Sequence, residues 1–304
     1  MKNFLITGGS GFIGDKLVKA LANKNTSIRI LSRENQPGFK TIFCDLVSEI
    51  IPEDAMIDVD TVFHLAGYTH DSRGSSEFKY LYKKINEEGT VKLAKLAIQS
   101  GVKRFIFISS VKAGGSSIQG LCVSEKDQTE PEGIYGKTKR RAELKLIKLG
   151  KTSNMHISII RPSLVYGPNM KGNLELMLRG IKAGWFPPLP KVDNCRSIIH
   201  VDNLIEAILF LAKTDHISGE IYIATDNQTY SSREIFEVMC RISNKAIPRW
   251  GVPKIFFDFV AIFNSDIRYK TNKLLGDECY SSEKLKALGF KARRKLEDMN
   301  ETSF

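Results

Sequence analysis

The 304-residue chain has no uninterrupted apolar stretch of the ~18 residues needed to cross a bilayer. Its N-terminus enters an apolar strand at once, so no secretory signal is expected. Cysteine is scarce: Cys44, Cys122, Cys195, Cys240 and Cys279 show no paired spacing and read as free thiols in a reducing cytoplasm. Cys122, between Ser110 and Tyr135, reads as a buried or idle thiol. The five histidines are scattered without a ligand-like pair, so no metal site is expected, and His64 reads as structural at a strand end. Repeats and low-complexity tracts are absent. Acids are outnumbered, with 34 Asp and Glu against 45 Lys and Arg, a net charge of +11. From residue 241 onward, thirteen basic residues face eight acidic ones. Such an excess suits an anionic substrate, an acidic membrane surface or nucleic acid. The basic residues are dispersed and no recognition motif accompanies them, so no nucleic-acid partner is expected.

Hydrophobic content of 42 % is ordinary for a chain that buries a sizeable core, and the length allows one large domain or two small ones. Residues 3–7 form a short apolar run suited to a buried parallel strand. Glycines follow at positions 8, 9, 11 and 14, and Ile13, Leu17, Val18 and Leu21 then recur at helical spacing. Strand, glycine turn and helix in that order form a dinucleotide-binding arrangement. The glycines permit a tight turn and close approach to phosphate, and the helix N-terminus offers N–H groups to the pyrophosphate. The next strand ends at Ser32-Arg33-Glu34. An acid at this place serves the ribose of NAD, whereas an arginine accommodates the 2′-phosphate of NADP. Arg33 favours NADP(H); Glu34 keeps NAD(H) open.

Residues 134–149 read as a helix on which Tyr135 and Lys139, four apart, share one face. A neighbouring ammonium favours the phenolate, so Lys139 is expected to lower the pKa of Tyr135 and make it a general acid or base near neutrality. The strand 104–108 runs into Ser109-Ser110, which places Ser110 at the carboxyl edge of the sheet, where ligands bind in open α/β folds.

With these segments the chain resembles the extended short-chain dehydrogenase/reductase family, in its nucleotide-sugar epimerase, dehydratase and reductase branch. The resemblance also runs through Asp45-Leu46, His64-Leu65-Ala66-Gly67, Asn86-x-x-Gly89-Thr90, Arg161-Pro162-x-x-Val165-Tyr166-Gly167-Pro168 and residues 196–202. It implies a catalytic Ser110, Tyr135 and Lys139. It implies cofactor contacts from Gly8, Gly11, Phe12, Ile13, Gly14, Ser32, Arg33, Asp45, Leu46, Leu65, Ala66, Gly67 and Pro162, along with Tyr135 and Lys139. It places Asn173 and Arg196, together with Ser110, by the substrate. Gly67 stands where alanine is commoner, and Gly114-Gly115 where many epimerases have Tyr-Gly. Val111-Lys112 replaces the acidic pair of the dehydratases, which argues against dehydration.

The expected fold is α/β, a doubly wound parallel sheet (Rossmann) with a smaller C-terminal substrate-binding lobe. Strands are expected near 3–7, 27–31, 41–44, 61–65, 104–108 and 156–160. The dinucleotide domain is expected over 1–166 and the substrate lobe over 167–304, with segments near 198–224 returning to the sheet and the cleft between lobes. Helices near 78–100 and 134–149 cover the sheet and are free to pair subunits in a homodimer. Residues 255–263 suit an amphipathic helix on a membrane surface, a core helix or a dimer contact. The expected activity is NADPH-dependent reduction of the C4 ketone of a UDP-4-keto-6-deoxy-N-acetylhexosamine, for surface-polysaccharide precursors in the cytoplasm. A NAD-dependent UDP-hexose or UDP-N-acetylhexosamine 4-epimerase would use the same residues. A non-catalytic dinucleotide sensor would have no need of Ser110, Tyr135 and Lys139.

Overall fold

Runs of Leu, Ile, Val and Phe that are buried on both faces can satisfy their backbone only as inner strands of a covered parallel sheet. The computed structural model, which describes residues 2–47, 50–69, 76–118, 120–263 and 265–300, builds such a sheet from them. In chain order the strands are β1 (Lys2–Thr7), β2 (Thr26–Ser32), β3 (Lys40–Phe43), β4 (Thr61–His64), β5 (Arg104–Ile108), β6 (His156–Pro162), β7 (Leu164–Tyr166), β8 (Arg196–His200), β9 (Glu220–Ala224) and β10 (Thr229–Tyr230). Seven of them form a parallel sheet in the order β3-β2-β1-β4-β5-β6-β9. This is the doubly wound dinucleotide-binding order with one further strand, and it reverses direction between β1 and β4. There the register sets Ile6 opposite Phe63 and Thr7 opposite His64. Leu5, Ile6, Val62, Phe63, Phe105 and Phe107 are all buried in this centre.

Helix α1 (Phe12–Leu21) follows β1 and buries Leu17, Val18 and Leu21. Helix α2 (Ser76–Leu81) runs through a π-helical stretch, Tyr82–Gly89, into α3 (Thr90–Gln99). Helix α4 (Gly133–Lys151) carries Tyr135 and Lys139. The remaining helices are α5 (Asn173–Ala183), α6 (Val201–Lys213), α7 (Ser232–Ile242), α8 (Lys254–Phe263), α9 (Ser265–Leu275) and α10 (Glu283–Ala287). Among the described residues no helix is long and apolar enough to cross a membrane, and no cluster of three His, Cys, Asp or Glu side chains is set to hold a metal.

The chain divides into two compact units. The first comprises Met1–Ser116, Glu125–Pro162 and Ile205–Ala224 and contains the seven-stranded sheet; the second comprises Ser117–Ser124, Ser163–Leu204 and Thr225–Phe304. The second unit holds the small sheet β10-β8-β7. Its core polar network centres on Asp226, which accepts from Tyr166 Oη at 2.7 Å, Asn203 Nδ2 at 2.7 Å and the His200 N–H at 3.0 Å.

Cys122 and Cys279 form a disulfide, which corrects the expectation of five free thiols. The cause is tertiary: Val123 pairs beside Tyr280 and donates its N–H to the Cys279 carbonyl at 2.9 Å, which brings together two sulfurs 157 residues apart in sequence. Cys44, Cys195 and Cys240 are not disulfide-bonded.

Candidate active site

The glycine turn is shaped by what its missing side chains would hit. Gly8 has φ +72°, and a Cβ there would lie 2.7 Å from the Ala66 nitrogen, so the turn rests directly on the segment leaving β4. A Cβ on Gly14 would stand 2.0 Å from the Gly8 carbonyl oxygen, so α1 abuts the end of β1. Gly11 caps α1 without a side chain. Among the described residues the N–H groups of Phe12, Ile13 and Gly14 have no backbone or side-chain acceptor. Unpaired donors at the positive end of a helix, at the point where strand order reverses, fit a dinucleotide pyrophosphate.

A directional hydrogen-bond chain fixes the end of β4. Ala66 N–H donates to Thr7 Oγ1 at 3.1 Å, and Thr7 Oγ1 lies 2.6 Å from His64 Nδ1. His64 Nε2 lies 2.8 Å from Thr90 Oγ1, whose single hydrogen goes to the Asn86 carbonyl at 2.9 Å. Thr90 therefore accepts from Nε2–H, and Nδ1 accepts from the Thr7 hydroxyl. Burial, reinforced by the charge of Lys139, lowers the pKa of His64 to about 3, so the ring is neutral. The Asn86 side chain accepts from Tyr68 N–H at 2.7 Å and donates to Tyr68 O at 3.0 Å, tying the segment after β4 to the π-helical stretch. Leu65, Ala66 and Gly67 are thereby held on a rigid path from the sheet edge. A Cβ on Gly67 would lie 3.2 Å from Lys139 Nζ and 3.3 Å from Asn86 Oδ1, so glycine leaves those two polar atoms their room.

Ser110 and Tyr135 meet beyond the end of β5. The Ser110 hydroxyl accepts the Lys112 N–H at 3.2 Å and lies close enough to the Tyr135 phenol to favour its anion. The Tyr82 ring meets Tyr135 edge-on, with centroids 6.3 Å apart. Lys139 is buried; its Nζ donates to the Ile108 carbonyl at 3.0 Å and sits 4.6 Å from the centre of the Phe107 ring. The expected tuning of Tyr135 by Lys139 is corrected here. Burial is the largest influence on Tyr135 and pushes its pKa up to about 12, while the nearby Ser110 hydroxyl pulls it down and Tyr82 and Glu143 push it further up. Burial also lowers Lys139 to about 8, against the opposing pull of Glu143.

Behind this pair, Arg161 and Glu143 form a buried two-pronged ion pair, with Nε–Oε1 at 2.9 Å and Nη2–Oε2 at 2.5 Å. A Cβ on Gly114 would stand 3.0 Å from Arg161 Nη1, so a side chain there would press on the guanidinium.

The other expected contacts are more dispersed. Ser32 Oγ accepts the Glu34 N–H at 3.2 Å, and Arg33 and Glu34 are exposed beyond β2. Asp45 Oδ1 accepts the Val47 N–H at 2.9 Å, and Leu46 packs where a Cβ on Gly89 would lie 3.3 Å from its own Cβ. Pro162 ends β6, buried opposite Ala224. Asn173 and Arg196 belong to the second unit. Asn173 is exposed at the first turn of α5, following Gly172 at φ +81°. Arg196, expected beside a diphosphate, is instead buried. Its Nη1 donates to the carbonyls of Lys273 and Gly276 at 2.8 and 3.2 Å, and its Nη2 donates to Glu278 at 3.1 Å, because β8 draws the 273–278 segment against it. Sequence reasoning assigned no site role to Thr7, Tyr82, Asn86 or Glu143. The Asn86-x-x-Gly89-Thr90 segment was the one available signal among them.

A family model described as the NAD dependent epimerase/dehydratase family matches residues 4–224. The UDP-glucose 4-epimerase of Vibrio cholerae is 33 % identical over 261 residues, 83 % of this chain and 78 % of that protein. The N-acetyl-α-D-glucosaminyl-diphospho-ditrans,octacis-undecaprenol 4-epimerase of Escherichia coli O157:H7 is 28 % identical over 259 residues, 83 % and 75 % of the two chains. Among solved structures, MoeE5 in complex with UDP-glucose and NAD superposes with a TM-score of 0.77 at 22 % identity, covering 97 % of this chain and 94 % of that one. The UDP-N-acetylglucosamine 4-epimerase from Bacillus cereus gives 0.76 at 19 %, covering 99 % and 95 %. These two likenesses establish a shared fold. The family match across more than two-thirds of the chain, on a sheet and glycine turn of this geometry, makes the protein an enzyme of the NAD dependent epimerase/dehydratase family.

Proposed function

We propose that the enzyme inverts C4 of a hexose or N-acetylhexosamine carried on a diphosphate, by NAD(P)-dependent oxidation and re-reduction. The observation that carries this reading is the placement of Ser110, Tyr135 and buried Lys139 together beyond the end of β5, with Lys139 Nζ held 3.0 Å from the Ile108 carbonyl and Ser110 close enough to Tyr135 to favour its anion. Both curated relatives described above are named as 4-epimerases, one of UDP-glucose and one of an undecaprenol-linked sugar; a diphosphate-linked sugar is the chemistry common to the two names.

The unpaired N–H groups at the start of α1 would hold the pyrophosphate of the dinucleotide, which when bound accepts and returns a hydride. Tyr135 in its base form would take the proton of the O4 hydroxyl as C4 is oxidised and give it back to the same oxygen on re-reduction, the inversion coming from return of the hydride to the other face of C4. Ser110 donates to the same oxygen and holds it in place. Lys139, fixed by the Ile108 carbonyl, would hold the cofactor ribose. Buried surroundings keep Tyr135 protonated in the free protein, so its base form depends on positive charge arriving beside it.

A second reading is reduction of a 4-keto-6-deoxy sugar by NADPH. Arg33, exposed at the end of β2 with Ser32 beside it, favours this reading because a guanidinium suits a 2′-phosphate. One experiment separates the two. The purified enzyme is incubated with UDP-glucose and with UDP-N-acetylglucosamine without added dinucleotide, and the dinucleotide released on denaturation is identified. Formation of the C4 epimer with retained NAD supports epimerisation. No epimer, with NADPH consumed against a UDP-4-keto-6-deoxy sugar, overturns it in favour of reduction.

A further inference from the structure

Helix α8, Lys-Ile-Phe-Phe-Asp-Phe-Val-Ala-Ile-Phe, is apolar on the face where a surface helix should be polar. Phe257 and Val260 are half-buried, so they mark its inner side. Ile255, Phe256, Phe259, Ile262 and Phe263 lie outside, each between 58 and 76 % exposed. At 3.6 residues per turn these five cover an arc of about 120°, a continuous stripe along the outer face. Its three phenylalanines alone present roughly 300–500 Å² of apolar surface, as large as the largest patch of a typical monomer. The one acid within the helix, Asp258, is paired with Lys254 at 2.8 Å on the flank of the stripe.

Charge identifies the occupant. Between residues 245 and 273 the chain carries Lys245, Arg249, Lys254, Arg268, Lys270 and Lys273 against Asp258 and Asp266. Trp250, just before α8, and Tyr269 on α9 are exposed aromatics of the kind that settle at a membrane–water boundary. An apolar stripe with basic neighbours and boundary aromatics matches an anionic lipid surface in both apolar and charged character. A protein partner of matching shape would explain the stripe but not the basic excess around it. Ten residues span about 15 Å, too short to cross a bilayer, so the helix would lie in the plane of the interface.

We infer that the outer face of α8 docks the enzyme onto anionic membrane surfaces. The inference is independent of which sugar the enzyme converts. The test is cosedimentation of the full chain with vesicles of phosphatidylcholine alone, and of phosphatidylcholine and phosphatidylglycerol in equal parts, at low and high salt. The expected result is binding to the anionic vesicles about tenfold or more tighter than to the neutral ones, weakened by salt. The variant Phe256→Ser/Phe259→Ser should lose that binding while keeping the parent's thermal unfolding transition and dinucleotide affinity. Light scattering on both proteins reads the competing occupant. Absence of binding to either vesicle, or a parent dimer that the variant turns into a monomer without any vesicle binding, overturns the inference.

Discussion

The neutral buried His64 makes stability depend on pH in a way that one substitution isolates. The folded ring resists protonation until about pH 3, whereas the unfolded ring titrates at its ordinary 6.5. Above pH 6.5 neither state takes up a proton, and the full contribution of the neutral ring is present. As pH falls through the window from 6.5 to about 3, the unfolded chain gains a proton that the folded one refuses, so stability falls by up to about 1.4 kcal/mol per pH unit. Between pH 7 and 4.5 the loss from this group is about 2.5 kcal/mol. His64→Leu removes the titration along with the hydrogen bonds to Thr7 and Thr90, and should cost about 2–5 kcal/mol at pH 7. The stability gap between parent and variant should then narrow by about 2.5 kcal/mol at pH 4.5. Asp226, raised to about 6 by burial, works in the other direction, losing stability as pH climbs from 3.8 towards 6, but it is common to both proteins and cancels in the difference. Urea unfolding at the two pH values measures the gap. A gap that stays constant would refute the buried neutral ring. Nitrogen chemical shifts provide an independent check, since the hydrogen-bond chain requires the Nε2–H tautomer and no titration of this ring between pH 7 and 4.5.

Tyr135→Phe should lower turnover by about 10²–10⁴-fold with little change in dinucleotide affinity, and turnover near the parent's would remove Tyr135 from the chemistry. Gly11→Ala is tolerated by the backbone at φ −76° but sets a Cβ 3.2 Å from the Gly8 carbonyl oxygen, inside the turn that the pyrophosphate would approach. Dinucleotide binding followed by fluorescence should weaken about tenfold or more, and an unchanged affinity would place the pyrophosphate elsewhere. Glu143→Gln leaves the Arg161 charge buried without its partner and should cost about 3–5 kcal/mol in chemical denaturation. Replacing both as Glu143→Leu/Arg161→Met should recover much of that loss; equal destabilisation of the single and double variants would refute the pairing argument. Thiol titration of the denatured, unreduced chain should count three groups, rising to five after reduction, and five from the outset would refute the Cys122–Cys279 bond.

The parts of the fold that were readable from sequence are those whose signal is local. Six strands of the large sheet lie within a residue or two of their expected positions, because each is a short apolar run between turn residues. The glycine turn was equally plain, since its constraint is the space around four glycines that lie within seven positions of one another. Other features depend on distant packing. The π-helical stretch at Tyr82–Gly89 alters helical pitch without altering the apolar pattern enough to show. The partners of Arg196 come from residues 273–278, and those of Cys122 from beyond residue 278, at separations where spacing carries no information. Asn86 was visible as part of a motif, but its role as a clamp on Tyr68 requires the segment after β4 to lie against it.

Tyr135 and Lys139 show how far sequence proximity can mislead about electrostatics. Four residues apart on one helix, they suggested an ammonium that acidifies its neighbour. In the fold both are governed by the same cause, removal from water, which penalises whichever form is charged. For a phenol that is the anion, so Tyr135 rises to about 12; for an amine it is the cation, so Lys139 falls to about 8. Dehydration thus opposes the phenolate–ammonium pair that the sequence suggested and favours neutral tyrosine beside a lysine that titrates close to neutrality. Among the described residues, the pull on Tyr135 towards its anion comes from the nearby Ser110 hydroxyl, a neutral dipole rather than a charge. On the proposed reading, a site arranged this way would hold its proton on Tyr135 until positive charge comes close, which would couple proton abstraction to occupancy by an oxidised dinucleotide rather than make it a standing property of the helix.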